Sequence, residues 1–379
     1  MVNLSFITCF VFQTVLFKAG SDSNLTELKN ILPAKDNLNI VSVAVLSENE
    51  TSFFAYNSDS ITHISNQTNY EVGSITKVFT AYVVYETFKD SIDKLNQPIS
   101  NFIDLKNASK EVKSITLLEL LTHHSGLNRI DHSIVFKVWN LTNPYQYYSY
   151  ESLIEYLEST SLNEKTYQYS NTGFMILGLI LEKIYHKPIE QIFKEKVYPK
   201  FNMTHSSLQV DSLTISSYDM FNKPVTYWTG EASQAVGELK SNTQDLSSFL
   251  HSMMENKNDE FSGFIKPQKM ISDTSGVGLG WHFKIQNNDT LVWHNGGTYG
   301  FSSFMGFYKQ KKKGIIILNN YFPAQTTQAG VEMLNQICNY GSSKIPERSF
   351  INKINPANMK YYYGFVFIAE ILIIGYLLF

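Results

Sequence analysis

Ser74 and Lys77 put a hydroxyl and an amine three residues apart at the head of an apolar stretch that runs from Glu71 to Val84. Residues i and i+3 share a helix face, so a helix starting here makes the two side chains neighbours. Gly73 permits a tight backbone turn just before the hydroxyl. A helix N-terminus presents aligned N–H groups and a positive dipole end, which favours negative charge developing on the Ser74 oxygen or on a carbonyl bonded to it. Val78, Phe79, Ala81, Val83 and Val84 are predicted to bury the lysine, and desolvation disfavours its ammonium form. The chemistry of such a pair is nucleophilic attack by the serine, with the lysine as its base. A second Ser-x-x-Lys, Ser91 to Lys94, sits among Lys89, Asp90 and Asp93 with no apolar run behind it, so its lysine is expected to be solvated and protonated.

Two later groups can converge on that pair. Tyr169, Ser170 and Asn171 occupy a polar loop directly before a helix expected at 172–185. Tyr169, held near Lys77, would pass a proton between Ser74 and a leaving group. Asn171 would bond Lys77 and a substrate carbonyl, although it equally suits an N-cap of the following helix. His294, Asn295, Gly296 and Gly297 end a strand. Two glycines leave a strand edge bare, against which a substrate backbone can lie as an added strand. The Gly297 N–H paired with the Ser74 N–H would form a two-donor oxyanion hole. His294 also reads as a satisfied structural histidine, and His124-Ser-Gly126 repeats the His-x-Gly pattern. Neither His123 nor His124 has partners at metal-ligand spacing, so no metal and no other cofactor is expected.

The elements that must position these groups follow from periodicity. A short helix near 25–32 precedes strands at 41–46 and 52–56, joined by a turn at 47–51. From about 91 to 279 the pattern is mostly helical, with helices at 116–122, 172–185 and 243–254. Gly126 reads as the C-cap of the first of these. Strands then return at 280–284, 290–294, 301–308 and 314–319, with a solvated turn at 309–313, and a helix at 326–340 closes the domain. The expected fold class is α+β: an antiparallel sheet built from both termini, flanked by helices, with a mostly helical inserted region.

At 379 residues and 43% hydrophobic composition, the chain has ample material for a large core. A net charge of −3 without a basic stripe argues against nucleic acid as a partner. Residues 4–17 are apolar and lead to Lys18-Ala-Gly-Ser21, which reads as a secretory signal ending at about residue 21. Residues 361–379 are apolar except for Glu370, and nineteen helical residues rise roughly 28 Å, enough to span a hydrocarbon core. Lys344, Arg348, Lys353 and Lys360 precede that run, and the positive-inside rule taken alone would leave the main domain in the cytoplasm. A signal peptide and a large domain override flanking lysines, so the expectation is an exported domain, 24–341, with a linker at 342–360 and a C-terminal membrane anchor; a cleaved lipid-anchor signal is the alternative. Cys9 lies in the signal, which leaves Cys338 without an intrachain partner. Past the signal, glycosylation sequons start at Asn24, Asn49, Asn66, Asn107, Asn140, Asn202 and Asn288.

Taken in order, the segments 68–77, 115–127, 169–171, 278–281 and 294–297 resemble those of the serine β-lactamase-like superfamily, nearest the class C β-lactamase, D-alanyl-D-alanine carboxypeptidase and related esterase branch. The resemblance runs from about 41 to 320. It implies an acylated nucleophile at Ser74, a base partner at Lys77, a proton shuttle at Tyr169, and substrate contacts from Asn171, His294, Gly296 and Gly297. It implies a small-molecule or peptide substrate: a D-amino-acid peptide, an ester or a β-lactam. The third motif departs from the Lys-Thr-Gly triplet usual in class C β-lactamases, since His294 stands where the lysine would hold a substrate carboxylate. The competing expectation is a catalytically silent surface binding module on the same fold.

Overall fold

In 41–46, 302–308 and 313–319 apolar residues occupy both alternate sets of positions, the pattern of strands covered on both faces. The computed structural model, which describes residues 22–59, 61–62, 64–131, 142–219, 222–322 and 325–341, places these three segments side by side. They are β1 (Val41–Leu46), β12 (Ser302–Tyr308) and β13 (Lys313–Asn319). Val41 and Val43 of β1, with Ile315 and Ile317 of β13, turn to one face. Ala44 and Leu46, with Ile316 and Leu318, turn to the other.

The remaining strands are β2 (Thr51–Tyr56), β3 (Ile61–Thr62), β4 (Tyr70–Glu71), β5 (Ser217–Tyr218), β6 (Pro224–Val225), β7 (Lys240–Ser241), β8 (Lys269–Ser272), β9 (Ser275–Val277), β10 (His282–Gln286) and β11 (Asp289–Gly297). Nine of the thirteen strands described form one sheet in the order β3-β2-β1-β13-β12-β11-β10-β9-β8, and every pairing in it is antiparallel. The helices are α1 (Asp22–Ile31), α2 (Thr76–Phe88), α3 (Lys110–Lys113), α4 (Leu117–Leu121), α5 (Tyr150–Ser159), α6 (Asn171–Tyr185), α7 (Ile189–Lys196), α8 (Gln234–Gly237), α9 (Thr243–Glu255) and α10 (Thr326–Ile337). One face of the sheet packs on α1 and α10. The other packs on α9, α2 and the helical region behind them. This is the expected α+β architecture with helices inserted between two groups of strands.

Several boundaries differ from expectation. The sheet resumes at Lys269, inside the region expected to be helical as far as 279. Its edge hairpin, β8 with β9, carries a register shift and alternates partly buried with exposed residues, so it lacks an apolar period to announce it. Helix α4 ends at Leu121 and the left-handed residue after it is His123, with φ of 59°. Gly126 is left-handed too, but three residues further on, where a Cβ would stand 2.5 Å from the Asn163 carbonyl oxygen. The expected signal at 1–21, linker at 342–360 and anchor at 361–379 lie outside the described residues. Among the described residues no helix is long and apolar enough to cross a membrane.

Helix α2 runs between the layers, and every residue from Thr76 to Tyr85 is buried, which is why its sequence is apolar all round. The turn that leads into it is held by a two-residue ladder, β4 with β7, in which Glu71 faces Lys240. Both side chains are buried, with Lys240 Nζ 3.4 Å from Glu71 Oε1. The amine also donates to the Trp228 and Leu208 carbonyls, and the carboxylate accepts from the Trp228 N–H at 2.7 Å. Removing one member of such a pair strands the other charge without solvent. Lys240→Met is therefore expected to lower unfolding free energy by about 3–5 kcal/mol, read from urea titration. A loss under ~1 kcal/mol, the scale of a solvated pair, would show that the pin carries no weight.

Candidate active site

The apolar run 78–84 buries Lys77 as the sequence predicts; its residue exposure is 0%. Ser74 lies one turn earlier, in the 3₁₀ turn Gly73–Ile75 that feeds α2. Lys77 Nζ stands 2.9 Å from Ser74 Oγ and donates to the Val236 carbonyl at 2.9 Å. Burial holds the amine well below the usual lysine pKa, and the Arg129 charge pushes the same way. A neutral amine with one N–H spent on Val236 has a lone pair to offer the Ser74 hydroxyl. By contrast, Lys94 of the second Ser-x-x-Lys is exposed, on the 3₁₀ stretch Lys89–Asn96.

Val236 belongs to α8, and the head of α2 grips that segment. Thr80 Oγ1 donates to the Ala235 carbonyl at 2.7 Å. Thr76 Oγ1 donates to the Gly73 carbonyl and accepts from Leu239 N–H. Nothing in the periodicity of 234–239 signals this role, which comes from contact across more than 150 residues and was not expected from sequence.

Tyr169 sits beside the pair, its ring centroid 5.3 Å from Lys77 Nζ. Burial pushes its phenol up to about 12, with the Arg129 charge and the Ser74 hydroxyl pulling it back. The phenol therefore keeps its proton at neutral pH. Its loop is clamped by His123, whose carbonyl accepts from Gln168 N–H at 2.9 Å and whose Nδ1 accepts from Ser170 N–H at 3.1 Å. The two rings pack at 4.3 Å. The 115–127 segment thus works as a bracket for Tyr169, seated by the Thr116–Glu119 capping box at the head of α4.

Asn171 departs from expectation in two ways. The N-cap of α6 is Ser170, whose Oγ accepts from Gly173 N–H at 3.1 Å, leaving Asn171 as the first helical residue. Its Nδ2 donates to the Tyr145 hydroxyl at 2.8 Å, and its Oδ1 is buried without a protein partner. The expected bond to Lys77 is absent among the described residues, since the amine is directed to Ser74 and Val236.

His294 is buried on the same side of β11 as Gly296. Its Nδ1 lies 2.6 Å from the Asn295 carbonyl, which can only accept, so Nδ1 carries the hydrogen and Nε2 is a bare acceptor, with no protein partner. Burial drives its pKa well below the ordinary histidine value, with His282 and Lys77 adding to the effect. The His282 ring packs at 5.0 Å and is itself pushed down to about 4 by burial.

The two glycines are explained differently from expectation. A Cβ on Gly296 would run into the Val72 carbonyl, and one on Gly73 would stand 2.6 Å from Gly297 N. Gly296 and Gly73 thereby let the strand end press against the turn that carries Ser74, whereas a Cβ on Gly297 would meet the Phe322 ring at an ordinary 3.4 Å. The bare edge is also there: β10 pairs with β11 only as far as Trp293, so from His294 to Gly297 the strand is paired on the β12 side alone among the described residues. The structure therefore brings Ser74, Lys77, Tyr169, His294, Gly296 and Gly297 together where α2, the head of α6 and the end of β11 meet, with Asn171 on the first turn of α6. Among the described residues no group of His, Cys, Asp and Glu is arranged to hold a metal ion.

A profile of the Beta-lactamase family matches residues 31–334. A protein named Beta-lactamase from Pseudomonas fluorescens is 25% identical over 345 residues, covering 78% of this chain and 92% of that protein. The Unguisins hydrolase ungD' of Aspergillus campestris (strain IBT 28561) is 23% identical over 271 residues, 64% of this chain; the match spans 50% of that longer protein. The crystal structure of a β-lactamase/D-alanine carboxypeptidase from Pseudomonas syringae superposes with a TM-score of 0.68 at 18% identity, over 85% of this chain and 98% of that one. That superposition establishes the shared fold.

The neutral fraction of Lys77 sets a pH signature. A serine-reactive phosphonate is expected to label Ser74 faster as pH rises through the depressed pKa, then to level off well below 10.5, the ordinary lysine value. Measured labelling rates that climb only near that ordinary value would mean that Lys77 is charged in the resting protein.

Proposed function

The chain belongs to the Beta-lactamase family, the serine hydrolases of the β-lactamase and penicillin-binding type, and on that premise we propose that it hydrolyses an amide or ester through an acyl-enzyme on Ser74. The observation that carries this reading is the buried Lys77 amine set between Ser74 Oγ and the Val236 carbonyl. The Oγ–C bond forms as the Ser74 proton moves to Lys77 Nζ. The Ser74 and Gly297 N–H groups receive the oxyanion. Collapse breaks the bond to the leaving group, which takes its proton from Lys77 through Tyr169. Water then attacks the ester carbon, gives its proton back along the same route, and releases an acid and free Ser74.

His294 narrows the substrate. A β-lactam laid along β11 brings its carboxylate to this position, where Nε2 offers a lone pair instead of a cation. Losing a charged contact costs on the order of 1–2 kcal/mol, or roughly tenfold in binding. A short-chain aryl ester is therefore expected to show higher kcat/KM than benzylpenicillin, and His294→Lys to move the ratio toward the penicillin. Ser74→Ala should abolish both reactions and the phosphonate adduct. Labelling that survives Ser74→Ala would overturn the mechanism, and a folded protein that neither labels nor turns over ester would be a silent binding module.

The apolar runs at 4–17 and 361–379 support an exported domain tethered at its C-terminus. Deleting residues 361–379 should release an active domain into the soluble fraction, because α10 already closes the sheet. Loss of folding in the truncated chain, judged by its melting transition, would make that segment part of the core.

A further inference from the structure

Arg129 is the sole arginine among the described residues, and no carboxylate pairs with its guanidinium there. Its Cζ stands 4.9 Å from the Tyr169 ring centroid, over the face of the aromatic group nearest Lys77. Its own carbonyl accepts from Asn171 N–H at 2.8 Å, which fixes residue 129 to the head of α6. Unlike Lys77, His123 and His294, the residue keeps partial contact with solvent.

The cleft therefore has two unlike walls. On the β11 side His294 presents a lone pair, and burial keeps both His294 and the neighbouring His282 toward their neutral forms. On the α6 side stands the Arg129 guanidinium over the Tyr169 ring, on a residue whose backbone is tied to Asn171, and the Asn171 Oδ1 is buried without a partner among the described residues. A guanidinium stacked on an aromatic ring keeps its N–H fork free for a planar anion. We infer that Arg129 binds a carboxylate of the substrate on the α6 side of the cleft, opposite the strand-side position that a third-motif lysine would serve.

This rests on the hydrolase reading above and names the substrate class for it: esters or amides that carry an acidic group reaching toward Tyr169 and Asn171. The plain alternative is that Arg129 only steadies the Tyr169 ring. Stacking and the Arg129 field at Lys77 act on every substrate alike, so a ratio of substrates separates the two.

The experiment compares 4-nitrophenyl hexanoate with the 4-nitrophenyl half-ester of adipic acid, matched in acyl length and differing in charge, the adipate chain being too long for its own carboxylate to expel the nitrophenol readily. The full chain, Arg129→Gln and Arg129→Lys are each assayed for kcat/KM. The unmodified protein is expected to favour the anionic ester by roughly tenfold to a hundredfold, the worth of a charged hydrogen bond. Arg129→Gln should bring the ratio near one, Arg129→Lys should keep part of it, and added salt should shrink it in the unmodified protein. Equal rates for the two esters in the unmodified protein, or a fall of both by the same factor in Arg129→Gln, would overturn the inference while leaving Ser74 acylation intact. Absence of both ester turnover and Ser74 labelling would instead defeat the hydrolase reading, and this inference with it.

Discussion

An amine held out of water and kept from its charge is the constraint on which this molecule turns. Among the described residues Lys77 has no carboxylate to pair with; burial sets its protonation, and the Arg129 charge pushes the same way. Such a group is tolerated only where hydrogen bonds replace its hydration. Ser74 Oγ and the Val236 carbonyl supply them. The all-round burial of α2 follows from this, since any solvent-facing stripe on its first turns would rehydrate the amine. So does the grip of Thr76 and Thr80 on 235–239, which keeps the carbonyl at hand.

Around that amine the machinery is assembled from separate parts of the chain that meet only in the folded state. The α4 turn holds Tyr169 through His123. The end of β11 is pressed on the turn before Ser74 by glycines that admit no side chain, and Ser303 Oγ reinforces the contact by donating to the Val72 carbonyl at 2.8 Å. The Glu71–Lys240 pair anchors the same turn from below. A shift in any of these would move a reacting group by a large fraction of an ångström, which is the scale on which such chemistry fails.

Much of this was legible in the amino-acid order. The central strands announce themselves by apolar residues at both alternate positions, and Ser74 with Lys77 by helical spacing inside an apolar run. What stayed hidden is what depends on distant contact. Val236 is an unremarked apolar residue until its carbonyl faces Lys77. Asn171 reads as a partner of Lys77 because both are polar and near the same cleft, yet Tyr145 takes its amide. Ser170 outcompetes it as N-cap because the shorter hydroxyl reaches Gly173 N–H directly. His123 and Arg129 carry no periodicity at all; the first acts through a left-handed φ that turns it back on the Tyr169 loop, and the second is placed only by the fold, over the Tyr169 ring. The β8–β9 edge hairpin was missed because an exposed, bulged edge needs no apolar alternation.

The pairing of β1 with β13 imposes an order on biosynthesis. Leu46 meets Gly314 and Val41 meets Asn319, so the middle of the sheet joins residues roughly 270 apart, an interval that translation at about 5–20 residues per second takes some 15 to 50 seconds to cover. Through that interval the β1–β2 hairpin can form, but the far edge of β1 has no strand to receive it. A bare apolar edge is a template for pairing with other chains, so the nascent protein passes through a stage open to holding factors and to self-association. Codon changes that slow the ribosome between β2 and β12 would lengthen that stage and lower the yield of folded protein without altering a single amino acid.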